Sequence, residues 1–247
     1  MEPQLLTRHG NGHRSVLVCF HHAGGGKSAF RGWPGLLAPH LDVVLVQLKG
    51  REDRTAQPLT DDLGDLAVEI ARGVCALPYD EIVLLGHSMG ATVAWAVADA
   101  IWAVYRRRAR VVLSAQAPPP YTSRIGERAE REAGRSRGTV GDGAADAFHA
   151  DILAADLAWL SREFPALVTR PLPVDLHCVA AERDRLVPPE AMAGWAALTT
   201  REFSCRTVPG GHMYLLEDPA PLIELVLELA RRDATEDTGV DRVGVPT

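Results

Sequence analysis

Residues 81–91 constrain the fold of this chain most strongly, because they join a buried strand to a buried helix through one sharp turn. The run Glu81-Ile82-Val83-Leu84-Leu85 is short and apolar, as in a strand covered on both faces. The pattern G-x-S-x-G follows at Gly86-His87-Ser88-Met89-Gly90, and an alanine-rich helical run begins at residue 91. Glycines two positions either side of Ser88 relieve crowding at such a turn. The segment therefore predicts a serine hydroxyl at the carboxyl edge of a parallel sheet, beside a helix N-terminus that favours negative charge. A turn whose glycines serve packing alone is the alternative.

The remaining strands and helices alternate along the chain. Strands are predicted as apolar runs at 16–20, 43–48, 110–114, 174–180 and 203–208, and helices at 63–76 and 219–231. Apolar strands that alternate with helices indicate an α/β fold with a mostly parallel sheet and helices on both faces.

One segment interrupts this alternation. Residues 117–170 begin with three prolines, continue through a charged, glycine-bearing piece and end in a helical stretch at about 144–164. We expect this segment to be a lid inserted above the sheet edge, with residues 1–116 and 171–232 forming the core. Residues 233–247 lack apolar periodicity and are expected to form a disordered tail.

The composition excludes several classes of protein. The chain has 247 residues, a formal net charge of −6 and 23% charged residues, which argues against binding to nucleic acid through a basic field. No apolar signal segment precedes residue 15, and no run is long enough to span a bilayer. The four cysteines are widely spaced, so metal and redox motifs are absent and reduced thiols in a cytoplasmic protein are expected. Nothing in the sequence argues against a monomer.

A serine nucleophile needs a base, and the base needs an orienting acid. His212 follows the last predicted strand in the glycine-rich loop Pro209-Gly210-Gly211-His212, so it is the predicted base. His149, in the predicted lid, and His177, inside a strand, are weaker candidates.

In α/β-hydrolases the triad follows the chain order serine, acid, histidine. The acid is therefore expected in the turn after the strand that precedes the last one. Asp184 lies in that turn and is the predicted acid, with Glu182 as its competitor. The alternative for Asp184 is a helix cap or a surface charge.

An oxyanion hole requires two backbone N–H donors. One is expected from Met89, which follows the nucleophile, and the other from Ala23 in the loop after the first strand, with His22 as the next choice. The glycines at 24–26 let that loop fold over the site. The segment Gly26-Lys27-Ser28 also resembles the end of a phosphate-binding loop, but His21 stands where that pattern requires glycine, which argues against nucleotide binding.

Together these segments resemble the type II thioesterases that accompany polyketide and nonribosomal peptide synthetases. The likeness covers about residues 15–230, and its most specific parts are Ala23-Gly24-Gly25 and the Q-x-x-G-R-E segment at 47–52. The matching segments are Cys19-Phe20-His21-His22-Ala23-Gly24-Gly25, Phe30, Trp33, residues 46–52, residues 86–91, Glu182 with Asp184, and Gly210-Gly211-His212-Met213.

The resemblance implies an α/β-hydrolase fold and a defined site. Ser88, Asp184 and His212 would be catalytic, Met89 and Ala23 would form the oxyanion hole, and His22, Gly24 and Phe30 would contact substrate. The implied substrate is an acyl thioester on the phosphopantetheine arm of an acyl or peptidyl carrier protein. No metal and no cofactor of the enzyme itself is implied.

The sequence departs from the family at His21 and Lys49, where proline is usual. Five lid arginines, at 124, 128, 131, 135 and 137, are expected to steer an acidic carrier protein, and a solvated basic helix face is the alternative. Within the lid, Phe148-His149-Ala150-Asp151 weakly resembles the family's lid segment. The same triad would also serve a carboxylesterase, lactone hydrolase or acyltransferase, and a non-catalytic binding module is the alternative of another class.

Overall fold

A seven-stranded sheet forms the centre of the computed structural model, which describes residues 4–58, 62–119, 144–166 and 170–236. The strand order is β1-β3-β2-β4-β5-β6-β7. Only β1 is antiparallel to its neighbour; the other adjacent pairs are parallel. The strands are β1 (Leu6–His9), β2 (Ser15–Phe20), β3 (Asp42–Val46), β4 (Glu81–His87), β5 (Arg110–Ser114), β6 (Asp175–Ala181) and β7 (Phe203–Val208).

Helices cover both faces of this sheet. The α-helices are α1 (Trp33–Leu37), α2 (Leu63–Cys75), α3 (Met89–Ala100), α4 (Ala144–Glu163), α5 (Tyr214–Glu217) and α6 (Ala220–Glu236). The 3₁₀ segments include Lys27–Phe30, Glu52–Arg54 and Pro189–Leu198, and one π-helical turn, Ile101–Tyr105, extends α3.

The side chains of β2 show how the two hydrophobic layers arise. Val16, Val18 and Phe20 pack in one cluster with α2 and α3, whereas Leu17 and Cys19 pack in a second cluster with α1 and α6. Alternate residues of a strand point to opposite faces, and both faces are covered here. The continuous apolar runs in the sequence follow directly from this burial.

The position of β2 in the sheet determines where a site can form. The chain passes from β2 to β3 on one side, and β4 then pairs with the other side of β2. Loops that follow two such strands diverge over opposite faces and leave a crevice at the carboxyl edge, where ligands bind in open α/β sheets. The loop after β2 and the turn after β4 border this crevice.

The predicted fold class is confirmed, with a few local differences. The edge strand β1 was not predicted, and β3 ends at Val46, before Gln47 and Leu48. Helix α6 extends to Glu236, five residues beyond its predicted end at residue 231, and so includes residues 233–236 of the predicted tail. Parts of the predicted lid and tail lie outside the described residues. They are residues 120–143, which include the five lid arginines, residues 167–169 and residues 237–247.

Candidate active site

Ser88 occupies the sharp turn between β4 and α3. Its backbone has φ +53° and ψ −122°, a combination that costs a residue with a side chain about 1–3 kcal/mol. Two hydrogen bonds maintain the turn: the Ser88 N–H donates to the Ser114 carbonyl oxygen at 2.8 Å, and the Ala91 N–H donates to the Ser88 carbonyl oxygen at 2.9 Å. The turn thus leaves Ser88 at the carboxyl edge of the sheet.

Close backbone contacts explain both glycines of the motif. A Cβ atom on Gly86 would lie 2.1 Å from the Gly90 carbonyl oxygen, and one on Gly90 would lie 2.2 Å from the Phe20 carbonyl oxygen. Neither obstacle is a flexible side chain, so a methyl group at either position would push β2, β4 and α3 apart. The alternative in which these glycines serve packing alone does not account for the strained Ser88 that they flank.

His212 lies between Ser88 and Asp184. Its Nε2 atom is 2.9 Å from Ser88 Oγ, and its Nδ1 atom is 2.8 Å from Asp184 Oδ2. With the Nδ1 proton donated to the carboxylate, Nε2 is free to accept the serine proton. This is the arrangement of nucleophile, base and orienting acid that serine hydrolases use.

The turn after β6 holds the Asp184 carboxylate rigidly. Its Oδ1 atom accepts hydrogen bonds from the backbone N–H groups of Leu186 at 2.8 Å and Val187 at 2.9 Å, and its side chain is completely buried. The remaining oxygen, Oδ2, faces His212. Glu182, the competing acid, is exposed, whereas Asp184 is hydrogen-bonded to the base.

Backbone hydrogen bonds join the loops that carry the acid and the base. The Glu182 N–H donates to the Val208 carbonyl oxygen, and the Arg183 N–H donates to the Gly210 carbonyl oxygen, both at 2.9 Å. Gly210 has φ +114°, and a Cβ there would lie 2.9 Å from Tyr214 Cβ. A glycine is therefore needed where the loop turns back towards His212.

Three further histidines surround the site, and burial keeps them neutral. The pKa of His87 is held well below its ordinary value by burial, with repulsion from His212 and His22 in the same direction. Burial also lowers the pKa of His22, and it lowers that of His21 to about 3, with the Arg51 guanidinium adding to the effect. These histidines therefore carry no positive charge beside the base at neutral pH.

The loop after β2 carries the predicted second oxyanion donor. Among the described residues, no hydrogen-bond acceptor pairs with the backbone N–H of Ala23 or of Met89. His22, half-buried, approaches the Ala23 carbonyl oxygen through Nδ1 at 2.9 Å, and Gly24 has φ +75°. The loop thus offers an unused N–H group beside the crevice, as an oxyanion hole requires.

The structure also defines the surroundings of Phe30 and Lys27, which follow the loop after β2. Phe30, which was expected to contact substrate, is completely buried and packs edge-to-face on Trp33 at 5.2 Å. The Lys27 ammonium pairs with Asp53 at 2.6 Å. The segment that resembled a phosphate-binding loop is thus a short 3₁₀ helix whose lysine is engaged by a carboxylate.

The weaker histidine candidates lie elsewhere. His149 is exposed on α4 beside Phe148, and His177 lies within β6, where its Nδ1 atom is 2.7 Å from Ser204 Oγ. The sequence did not single out Asp156, which is buried in α4 and contacts the loop after β2. Its signal was a carboxylate inside the otherwise apolar run 152–160 of that helix. Asp151, in the segment compared with the family, is exposed.

The described part of the chain shows neither a metal-binding cluster nor a membrane-spanning helix. Residues 4–58, 62–119, 144–166 and 170–236 contain no group of three or more His, Cys, Asp or Glu side chains placed to hold a metal ion. In the same ranges, no helix has both the length and the hydropathy that crossing a bilayer requires.

The fold and the Ser88–His212–Asp184 arrangement define a member of the α/β-hydrolase class. A thioesterase-domain family model matches residues 15–229, and the chain belongs to this thioesterase family. The resemblance drawn from the sequence is therefore confirmed.

Individual relatives agree with this assignment. The chain is 32% identical to a probable cadicidin biosynthesis thioesterase of Streptomyces griseus, over 81% of this chain and 58% of that protein. It is 28% identical to the gramicidin S biosynthesis protein GrsT of Aneurinibacillus migulanus, over 87% and 88% of the two chains. The solved structure of the type II thioesterase BorB, from the borrelidin biosynthetic cluster, superposes with a TM-score of 0.71 and 25% identity, covering 92% of this chain and 97% of BorB.

Proposed function

We propose that this protein is a type II thioesterase that hydrolyses acyl groups from the phosphopantetheine arm of carrier proteins in polyketide or nonribosomal peptide biosynthesis. The observation that carries the proposal is His212, which is hydrogen-bonded to both Ser88 and Asp184. The relatives support the substrate class, since they are named for cadicidin, gramicidin S and borrelidin biosynthesis.

The first half of the reaction forms an acyl-enzyme. Ser88 Oγ attacks the thioester carbonyl carbon while its proton passes to His212 Nε2. The carbonyl oxygen becomes an oxyanion that accepts hydrogen bonds from the Met89 and Ala23 N–H groups. Collapse of the tetrahedral intermediate breaks the carbon–sulfur bond, and His212 returns the proton to the departing phosphopantetheine thiol.

The second half regenerates the enzyme. His212 Nε2 takes a proton from water as the water oxygen attacks the acyl ester on Ser88. The oxyanion forms again in the same hole, and collapse releases the carboxylic acid while His212 returns the proton to Ser88 Oγ. Asp184 stays ionised throughout and stabilises the imidazolium form of His212. Each step uses groups of the chain itself, and the phosphopantetheine belongs to the substrate.

The fixed hydrogen bonds to Asp184 suit this role. Because Leu186 and Val187 occupy one carboxylate oxygen, the other can serve only His212 without rotation of the side chain. Pre-organisation of this kind removes reorganisation from the reaction barrier.

The test is hydrolysis of an acyl-phosphopantetheinyl carrier protein followed by mass spectrometry, with the wild type beside Ser88→Ala. Ser204→Ala is the matched control, because Ser204 lies at the start of β7, away from the carboxyl edge of the sheet. Loss of the acyl group with the wild type and the control, but not with Ser88→Ala, would support the proposal.

Other results would favour a different function. If the wild type left the thioester intact but hydrolysed an oxygen ester of the same acyl group, the protein would be an esterase. Transfer of the acyl group to an added alcohol or amine would indicate an acyltransferase. Failure of the folded protein to react with a fluorophosphonate at Ser88 would favour a non-catalytic binding module.

A further inference from the structure

A buried ion pair joins helix α4, which lies in the predicted lid segment, to the segment that follows β3. Arg51 Nη1 is 2.5 Å from Asp156 Oδ2, and Arg51 Nη2 is 2.6 Å from Asp156 Oδ1. The side chains are 2% and 1% exposed. The contact is bidentate and almost completely removed from water, although the two residues are 105 positions apart in the chain.

The same two side chains hold the loop after β2. Asp156 Oδ2 accepts a hydrogen bond from the Gly24 N–H at 2.7 Å, and Arg51 Nη1 donates to the Gly25 carbonyl oxygen at 3.1 Å. Leu153, one turn before Asp156, packs so closely that a Cβ on Gly24 would lie 3.1 Å from Leu153 Cβ. The peptide next to the Ala23 N–H is thus fixed by groups from two other elements.

Gln47 and Glu52 hold the rest of this loop. The Lys27 N–H donates to Gln47 Oε1 at 2.9 Å, and the Ser28 N–H donates to Glu52 Oε1 at 3.1 Å. The Q-x-x-G-R-E segment at 47–52 therefore holds residues 25–28 in place, with one side-chain contact each from its glutamine, arginine and glutamate.

Stability alone gives a weak reason for a pair of this kind. Desolvating two charges offsets much of their attraction, so a buried ion pair is often no more stabilising than apolar residues of similar size. A bidentate pair does, however, fix geometry more tightly than apolar packing does. The position that it fixes here is the backbone on either side of Gly24.

We propose that Arg51 and Asp156 are positioning residues that hold the Ala23 N–H in place for the oxyanion, so that docking of α4 completes the oxyanion hole. The inference rests on the proposed function, because it takes Ala23 as the second donor. It assigns α4 a part in the chemistry: the helix that the sequence predicts to cover the acyl group would also set the hydrogen bond that stabilises the transition state. Loss of one oxyanion donor lowers turnover by about 10²–10³-fold, and a displaced donor should approach that loss.

The decisive variant is the double substitution Arg51→Met with Asp156→Leu, which removes the loop contacts without leaving a buried charge unpaired. Arg51→Lys is the milder variant, because it keeps the charge but loses the bidentate geometry. Asp42→Asn is the matched control. Asp42 is also a buried carboxylate bound to backbone N–H groups and to an arginine, but it lies at the amino end of β3.

Four quantities should be measured for each variant: the urea midpoint, kcat and KM for an acyl thioester, and the rate constant for phosphonylation of Ser88 by a fluorophosphonate. We expect the double variant to be folded, with kcat lowered about 10–100-fold, KM within about 3-fold of the wild type, and phosphonylation slowed in parallel. Arg51→Lys should show a smaller loss of the same kind. Asp42→Asn should lower the urea midpoint and leave both rates unchanged.

Phosphonylation separates this inference from the proposed function, since it uses the nucleophile and the oxyanion hole without a thioester. Wild type that is phosphonylated but does not hydrolyse thioesters would refute the proposed function, and the phosphonylation rates of the variants would still decide the inference. A folded double variant that is phosphonylated at the wild-type rate would overturn the inference. If the double variant did not fold, wild-type rates in folded Arg51→Lys would overturn it equally.

Discussion

The imidazole of His87 is hydrogen-bonded to the side chain of Ser114, with His87 Nδ1 2.7 Å from Ser114 Oγ. The same hydroxyl oxygen lies 2.5 Å from the Tyr214 hydroxyl oxygen. Tyr214 is two residues after His212, so this buried chain joins the strand that carries the nucleophile to the loop that carries the base. The link lies behind the reacting groups and is expected to support them without touching substrate.

Removal of the Tyr214 hydroxyl tests this link. Tyr214→Phe should lower the free energy of unfolding by about 1–3 kcal/mol, because a buried hydrogen-bond partner is lost while the ring still packs. Urea denaturation at neutral pH measures the change. Tyr105→Phe is the control, since Tyr105 is exposed on the π-helical turn and should alter stability by less than about 0.5 kcal/mol. Equal effects of the two substitutions would contradict a structural role for the link.

Substitutions in the triad should act as a unit. Ser88→Ala and His212→Ala are each expected to lower kcat by about 10⁴–10⁶-fold, and the double variant should lose little more than either alone. Asp184→Asn should cost about 10⁴-fold, because an amide no longer fixes the histidine tautomer. Steady-state hydrolysis of an acyl thioester measures these losses.

Glu182→Gln provides the control for the acid. Glu182 is exposed two residues before Asp184, and its substitution should leave kcat/KM within about 2-fold of the wild type. A large loss with Glu182→Gln and none with Asp184→Asn would reverse the assignment of the acid.

Much of the fold follows from the sequence because parallel strands buried on both faces are continuous apolar runs. The strands at 110–114 and 203–208 were predicted with their observed limits. The edge strand β1 was missed since its four residues, Leu6–His9, are only partly covered and three of them are polar. The extension of α6 to Glu236 was missed because its last turn lacks the apolar periodicity on which the prediction relied.

The site likewise has residues that the local sequence predicts and contacts that depend on tertiary packing. The positions of Ser88, Asp184 and His212 were predicted because each follows a strand whose carboxyl end lies at one sheet edge. The contacts of Asp156 were not predicted, since a hydrogen bond to Gly24 across 132 positions depends on how α4 docks. The burial of Phe30 was not predicted either, because a motif match does not reveal which sheet face a side chain enters.

The glycine that follows the nucleophile by two residues gives a steric prediction. Gly90→Ala should prevent the native turn and lower the free energy of unfolding by more than about 3 kcal/mol, because its methyl group would meet the Phe20 carbonyl oxygen at 2.2 Å. Urea denaturation and circular dichroism would measure the change. Gly35→Ala is the matched control: it lies in α1, and a Cβ there would meet nothing within 4 Å. That variant should be neutral or more stable by up to about 1 kcal/mol, and comparable destabilisation by both would contradict the steric explanation.

His21 predicts how stability depends on pH. Burial, aided by the Arg51 guanidinium, lowers its pKa from an ordinary value of 6.5 to about 3 in the folded protein. Between these values the unfolded chain binds the proton and the folded protein does not, so acid favours unfolding. The stability linked to neutral His21 is therefore fully present above about pH 6.5 and is lost progressively as the pH falls towards 3, by about 1.4 kcal/mol per pH unit.

Comparison of the wild type with His21→Gln isolates this contribution, since the other titrating groups are common to both proteins. The free energy of unfolding, measured with urea at pH 7.0 and at about pH 4.5, should fall further in the wild type than in the variant, by about 2–3 kcal/mol over that interval. The variant lacks the group whose protonation favours unfolding, so its relative stability should improve in acid even if it is less stable at pH 7. A difference between the two proteins that stays constant across this range would mean that His21 takes up its proton in the folded state, and that the loop after β2 admits water beneath the oxyanion hole.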